Sequence, residues 1–84
     1  MKAKYIIIKH GTLEVPFLFS ELNQHAEVAA RMGGVDKVVG AGFYGLDGDR
    51  YFCYGESISC KVKSRGEVDE KILNRLLGVD YEGL

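Results

Sequence analysis

The chain has 84 residues, of which 27% are charged and 46% hydrophobic, and its formal net charge is −1 at pH 7. A chain of this length predicts one small domain, residues 1–84, with a core near the lower limit for independent stability. The charge balance lacks the basic footprint of nucleic-acid-binding proteins, and the run Tyr5-Ile6-Ile7-Ile8 is too short to span a membrane. Two cysteines and no secretory signal favour reduced thiols in the cytoplasm.

A β-hairpin is predicted at the N-terminus. Lys2–Lys9 has a β-branched centre between lysines, which is typical of a buried strand. His10-Gly11 is a turn signal, and the alternating segment Thr12–Phe19 predicts a second strand. Pro16 cannot donate a hydrogen bond to a neighbouring strand, so we expect this second strand at an edge of the sheet.

The next predicted element is a helix from Ser20 to about Met32. Ser20 suits the N-cap position, and Gly33-Gly34 suits the end of a helix. The apolar residues at helical spacing are mostly small, which allows close packing on a sheet: Leu22, Ala26, Ala29, Ala30 and Met32.

The stretch Val38–Val62 contains both cysteines and most of the aromatic residues. Asp47-Gly48 between alternating segments predicts a hairpin with a type I′ turn, which puts Tyr44 opposite Tyr51. The second strand of this hairpin is expected to continue to Val62. Gly55 indicates a bulge or a bend, and a second tight turn at Gly55-Glu56 is the open alternative.

Alternation along the strands divides this hairpin into two faces. The apolar face carries Val39, Ala41, Phe43, Phe52, Tyr54, Ile58, Cys60 and Val62. The opposite face carries Gly40, Gly42, Tyr44, Tyr51, Cys53 and Gly55, and its three glycines leave a shallow strip. Either a ring or a helix of the same chain covers this strip, or it docks a partner or a second subunit. Tyrosine is enriched at interfaces, and the glycines form the strip beside the two tyrosines. The candidate interface residues are therefore Tyr44, Tyr51, Gly40, Gly42 and Gly55.

A second helix is predicted after Ser64-Arg65-Gly66-Glu67, which matches a capping box. Its apolar stripe is expected to end at Gly78, with one further contact from Tyr81 in the tail. The element order is then β-β-α-β-β-α. This order predicts an α+β fold, with a four-stranded, mainly antiparallel sheet and both helices packed on one face.

The triplet His25-Ala26-Glu27 is similar to the zinc-site helix of cytidine and tRNA adenosine deaminases. The resemblance implies that His25 is a zinc ligand and Glu27 the acid/base. Those enzymes also use two thiolates of a P-C-x-x-C motif, whereas here six residues separate Cys53 from Cys60 and no proline precedes them. We therefore interpret His25 as a structural residue with one hydrogen bond and Glu27 as a solvated charge, and expect no catalytic site and no cofactor.

The overall pattern resembles that of small bacteriophage and prophage proteins with no assigned activity. The features behind the resemblance are a first strand ending in Lys-His, the segment VPFLFSELNQHAEVA, then AGFYG, and YGESISCKVKSRGEVD before the last helix. The resemblance implies the cytoplasm of a bacterium or of a phage-infected cell. It implies no activity and no functional residue.

The function predicted from these features is non-enzymatic binding of another protein or self-association as a homodimer, with no nucleic acid and no membrane as partner. A small basic strip is either a solvated face or a contact for an acidic partner: Lys61, Lys63 and Arg65. The alternatives are a miniature deaminase-like zinc enzyme, with His25, Cys53 and Cys60 as ligands, and a small-ligand sensor with the glycine strip as its pocket floor.

Overall fold

A computed structural model describes residues 3–77 and shows an α+β fold. The strands are β1 (Ala3–His10), β2 (Leu13–Ser20), β3 (Val38–Asp47), β4 (Arg50–Tyr54), β5 (Glu56–Ser57) and β6 (Val62–Lys63); the helices are α1 (His25–Arg31), a 3-10 turn (Val35–Lys37) and α2 (Glu67–Leu77). An antiparallel sheet has the order β2-β1-β3-β4, and β5 pairs with β6 in a separate ribbon.

The α+β class and the four-stranded antiparallel sheet are therefore confirmed. The predicted order β-β-α-β-β-α is wrong, because the β5–β6 ribbon lies between β4 and α2. The predicted contact of Tyr81 and the helix end at Gly78 lie outside the described residues.

The strand β1 is the centre of the core. It lies between β2 and β3, and residues 5–8 are completely buried. A continuous apolar run is what a strand covered on both faces requires. The neighbouring strand β2 lies at the edge of the sheet, where Pro16 pairs with Ile7, as predicted.

The two helices pack on opposite faces of the sheet, so the prediction that they share one face is wrong. The core consists of two clusters: Ile6, Ile8, Ala29, Val38, Ala41 and Cys60 on the α1 side, and Tyr5, Ile7, Cys53 and Leu73 on the α2 side. The cause lies in β1, whose alternate side chains are apolar on both faces. Each apolar face needs its own cover.

The β3–β4 hairpin differs from its predicted register by two residues. Gly48 and Asp49 form its loop, and Tyr44 is opposite Cys53 rather than Tyr51. Gly48 has φ of 64° at the first central position and Asp49 has no positive φ, which is the pattern of a type II′ turn. A shift by an even number of residues leaves the side chains of residues 43–54 on their predicted faces.

At two irregularities the course of the chain differs from the prediction. A register shift where β3 pairs with Ile7 and Ile8 places Val38, rather than Val39, in the cluster with Ala41. The strand predicted to reach residue 62 ends at Tyr54, because Gly55 bends the chain with φ of 79°. Residues 58–61 then form a turn between β5 and β6.

The first helix begins at His25 with Gln24 as its N-cap, four residues after the predicted N-cap Ser20, because β2 continues to Ser20. The Ser20 hydroxyl accepts a hydrogen bond from the backbone N–H of Leu22, so it stabilises a turn instead of capping a helix. At the true start, the backbone N–H of Gln24 donates to Oε1 of Glu27 over 2.9 Å.

Candidate functional site

The helix α2 covers the glycine strip around Gly40. A Cβ atom built on Gly40 would overlap the carboxylate of Asp69, which is completely buried. Tyr44 and Tyr51 pack on the cluster that contains Leu73 of the same helix. Of the two alternatives for this strip, the structure shows cover by a helix of the same chain.

The other two candidate interface glycines lie elsewhere. Gly42 is buried, and its carbonyl accepts a hydrogen bond from His25. Gly55 is exposed and lies against the ring of Phe43, on the α1 side of the sheet. The five residues predicted to form one interface therefore do not form one surface.

A buried polar network joins α2 to the sheet. The Tyr5 hydroxyl donates to Asp69 and lies 2.8 Å from Oγ of Ser64. Asp69 also accepts hydrogen bonds from the backbone N–H of Arg65 (2.9 Å) and from its Nε (2.7 Å). Burial, and then the Asp69 carboxylate, raise the pKa of Tyr5, so its hydroxyl remains a donor.

The same network includes Arg65, one of the three residues of the predicted basic strip. The Arg65 guanidinium binds both Asp69 and Glu14, the latter over 2.7 Å, and lies partly buried. Lys61 and Lys63 are exposed. The capping interaction of α2 also differs from the predicted capping box. The carboxylate of Asp69, rather than that of Glu67, accepts a hydrogen bond from the backbone N–H of Arg65 before the helix.

Side chains of α2 occupy the outer edge of β4. The backbone N–H of Tyr51 donates to Oδ1 of Asn74 over 2.8 Å, and Nδ2 of Asn74 donates to the Tyr51 carbonyl. The N–H of Cys53 donates to Oε2 of Glu70 over 3.1 Å. An unpaired strand edge attracts further strands, and these contacts satisfy the groups that would do so.

We expect Asn74→Ala to lower the free energy of unfolding by about 1–3 kcal/mol, because it leaves the N–H of Tyr51 without its partner. Exposing that edge should also increase aggregation. Urea denaturation and light scattering measure the two effects. The matched control is Arg75→Ala, the exposed neighbour on the same helix; equal behaviour of the two variants would contradict the protective role of Asn74.

The residues of the deaminase-like interpretation are not brought together. Cys60 lies in the core cluster on the α1 side, and Cys53 lies in that on the α2 side. Burial, and then the charge of Asp69, raise the pKa of Cys53 to about 12, so its free thiol is protonated at pH 7. Glu27 is exposed at the start of α1. No cluster of three His, Cys, Asp or Glu side chains suited to a metal occurs within residues 3–77.

His25 is more buried than predicted, with 4% of its surface exposed. Its Nε2 atom lies 2.8 Å from the Gly42 carbonyl, to which it donates. Its ring lies edge-on between Phe19 and Phe43, at centroid distances of 5.3 and 5.9 Å. Burial lowers the pKa of His25, and the charge of Lys4 lowers it further, so we infer a neutral ring at pH 7.

An aromatic row, consisting of the half-buried Phe43 and the exposed Tyr54 and Phe52, lies on the α1 side of the β3–β4 hairpin. Phe52 and Tyr54 stack at 5.8 Å and are 41% and 43% exposed. Phe43 lies 5.7 Å from Tyr54. The Phe52 ring lies over Gly45, where a Cβ atom would overlap it. These three residues belong to the face of the hairpin that the alternation predicted to be apolar. The signal in the sequence that could have marked an open surface here is Gly45, which lies opposite Phe52 and has no side chain to cover it.

A cleft of about 320 Å³ adjoins the aromatic row and shares Phe43 with it. It lies between the start of α1 and the turn after β5. The residues that line it are Lys4, Gln24, His25, Phe43, Glu56, Ile58 and Ser59. Sequence reasoning missed this cleft, because its residues come from four separate segments.

Comparisons with protein-family models, with curated proteins and with solved structures find no match to this chain. The resemblance to bacteriophage proteins therefore stays a prediction. Neither helix within residues 3–77 has both the length and the apolar composition needed to cross a bilayer.

Proposed function

We propose that this protein is a non-enzymatic binding protein that self-associates as a homodimer through the aromatic row. The observation that carries the proposal is the stacked pair of Phe52 and Tyr54, each about two-fifths exposed on the same face of the sheet. Aromatic side chains dominate interface energetics, and hot spots are enriched in tyrosine.

The geometry of β4 supports a contact between side chains rather than between strands. Asn74 and Glu70 already bind the outward backbone N–H groups of Tyr51 and Cys53. A second chain therefore cannot pair with this edge without displacing α2 side chains. The faces of two aromatic rows can meet without disturbing these hydrogen bonds.

The charges around the aromatic row favour a second copy of this chain over a strongly charged partner. Asp47 and Arg50 are cross-strand partners at one end, and Glu56 and Lys63 are partners at the other. Each end thus carries both signs, and the net charge of −1 causes little repulsion between copies. A small domain also gains stability from burying further apolar surface, most commonly in a symmetric dimer.

The setting of this function remains the cytoplasm of a bacterium or of an infected cell, as the resemblance to phage proteins implies. The zinc-enzyme alternative has less support, because Cys53 and Cys60 lie in core clusters on opposite sides of the sheet. The glycine strip cannot be the floor of a sensor pocket at Gly40, because Asp69 occupies that space.

The double variant Phe52→Ala/Tyr54→Ala should weaken dimerisation by about 30-fold or more, since truncating hot-spot aromatics costs about 2 kcal/mol or more. Sedimentation equilibrium across a concentration series measures the dissociation constant, and circular dichroism verifies the fold. The matched control is Leu13→Ala, which removes an exposed apolar residue from β2, at the opposite edge of the sheet.

Two results would contradict the proposal. One is a wild-type protein that stays monomeric at millimolar concentration. The other is a folded double variant that dimerises as strongly as the Leu13→Ala control.

A further inference from the structure

The cleft beside the aromatic row combines an aromatic wall with polar groups from separate elements. Its volume of about 320 Å³ is at the lower end of the range for small-molecule sites. Phe43 of β3 contributes the aromatic wall. His25 and Gln24 come from the start of α1, while Glu56 and Ser59 come from the ribbon and its turn.

The two charges in the cleft have opposite signs. Lys4 donates one hydrogen bond to the Asn23 carbonyl over 2.8 Å, which leaves two further N–H donors on its ammonium group. Glu56 is exposed, and its carboxylate can accept several hydrogen bonds. A phosphate or other polyanion would face the carboxylate, and a simple amine would face the ammonium. A ligand that carries both a positive and a negative charge meets an oppositely charged side chain for each of them.

His25 adds a neutral acceptor to this set. Because Nε2 donates to the Gly42 carbonyl, the tautomer leaves the lone pair on Nδ1. The His25 side chain lines the cleft, with 4% of its surface exposed.

Two hydrogen bonds fix the turn after β5, on the far side of the cleft from α1. The backbone N–H of Ala26 in α1 donates to Oγ of Ser59 over 3.1 Å, and the N–H of Cys60 donates to Oγ of the buried Ser57 over 3.0 Å. The cleft walls are thus connected before a ligand arrives, which lowers the entropy that binding must overcome.

We propose that this cleft binds a zwitterionic α-amino acid with an apolar side chain. The ligand carboxylate pairs with Lys4, its ammonium group pairs with Glu56, and its side chain packs on Phe43. This binding site shares Phe43 with the aromatic row, but its two charged residues, Lys4 and Glu56, lie outside that row.

The test is a titration of the ¹⁵N-labelled protein followed by NMR, with L-phenylalanine as the probe. Two analogues each carry one of its charges: phenethylamine and 3-phenylpropionate. We expect shifts at residues around the cleft with L-phenylalanine, and binding weaker by about tenfold or more with either analogue, since a charged hydrogen bond contributes about 1.5–3 kcal/mol.

Lys4→Met and Glu56→Gln should each weaken L-phenylalanine binding by about tenfold or more. The matched controls, Lys61→Met and Glu67→Gln, change exposed charges outside the cleft and should leave it unchanged. Glu56 is exposed, so Glu56→Gln tests the proposal even if Lys4→Met folds poorly. Binding should persist in Phe52→Ala/Tyr54→Ala, which separates this site from the dimer contact.

The proposal is overturned if L-phenylalanine causes no shifts at about 10 mM, a concentration that populates even millimolar complexes. It is also overturned if either analogue binds as tightly as the zwitterion. Equal binding by Glu56→Gln and Glu67→Gln would have the same consequence.

Discussion

Asp69→Ala is expected to lower the free energy of unfolding by about 3–5 kcal/mol, enough to unfold a domain of this size. The change removes a completely buried carboxylate that binds the Tyr5 hydroxyl and both a backbone and a side-chain donor of Arg65. The costly part is the loss of partners in a buried network, because the Tyr5 hydroxyl keeps only Ser64 and the Arg65 backbone N–H and Nε lose their acceptor.

Urea denaturation followed by circular dichroism measures this loss. The control is Glu67→Ala, two residues earlier on the same helix, where the side chain is exposed and the change should stay within about 0.5 kcal/mol. Asp69→Asn keeps the shape but loses the charge, and should fall between the two. If Asp69→Ala were as stable as Glu67→Ala, the network would not hold α2 on the sheet.

Gly40→Ala should be the second most damaging substitution, with a loss of about 3 kcal/mol. The added Cβ atom would overlap both carboxylate oxygens of Asp69 and lie 2.8 Å from its Cγ. Asp69 cannot move away without breaking its bonds to Tyr5 and Arg65, so the backbone of β3 must shift instead.

The matched control is Gly45→Ala in the same strand. There the Cβ atom meets the ring of Phe52, which is partly exposed and can rotate into solvent. We expect a cost of about 1 kcal/mol or less for Gly45→Ala. Thermal or urea unfolding of the two variants compares them directly, and a similar loss in both would show that Asp69 does not define the tight contact at Gly40.

Local patterns in the sequence were sufficient for the strands of the sheet. The apolar run of β1, the alternation of β2 and the edge position of Pro16 all follow from rules that act over a few residues. The faces of residues 43–54 in the β3–β4 hairpin were also predicted correctly, because an error of two residues in the register preserves the alternation. The register shift at the start of β3 placed Val39 on the other face.

The candidate site was predicted less well. The sequence singled out His25, but its neighbours in the cleft come from β1, β3 and the β5–β6 region. Tyr44 and Tyr51 were chosen as interface residues because of their residue type, yet α2 packs on their face of the sheet. Residue type alone cannot distinguish a tyrosine under a helix from a tyrosine on an open surface.

By itself, then, the sequence determined the four strands of the sheet, most of their alternation and the α+β class, since periodicity and turn residues act locally. Only the tertiary structure decided which helix covers which face. That choice buries Asp69 over Gly40 and leaves Phe52 and Tyr54 exposed beyond the short helix α1. It depends on contacts between residues far apart in the chain, such as Tyr5 with Asp69, and these have no signature in any single segment.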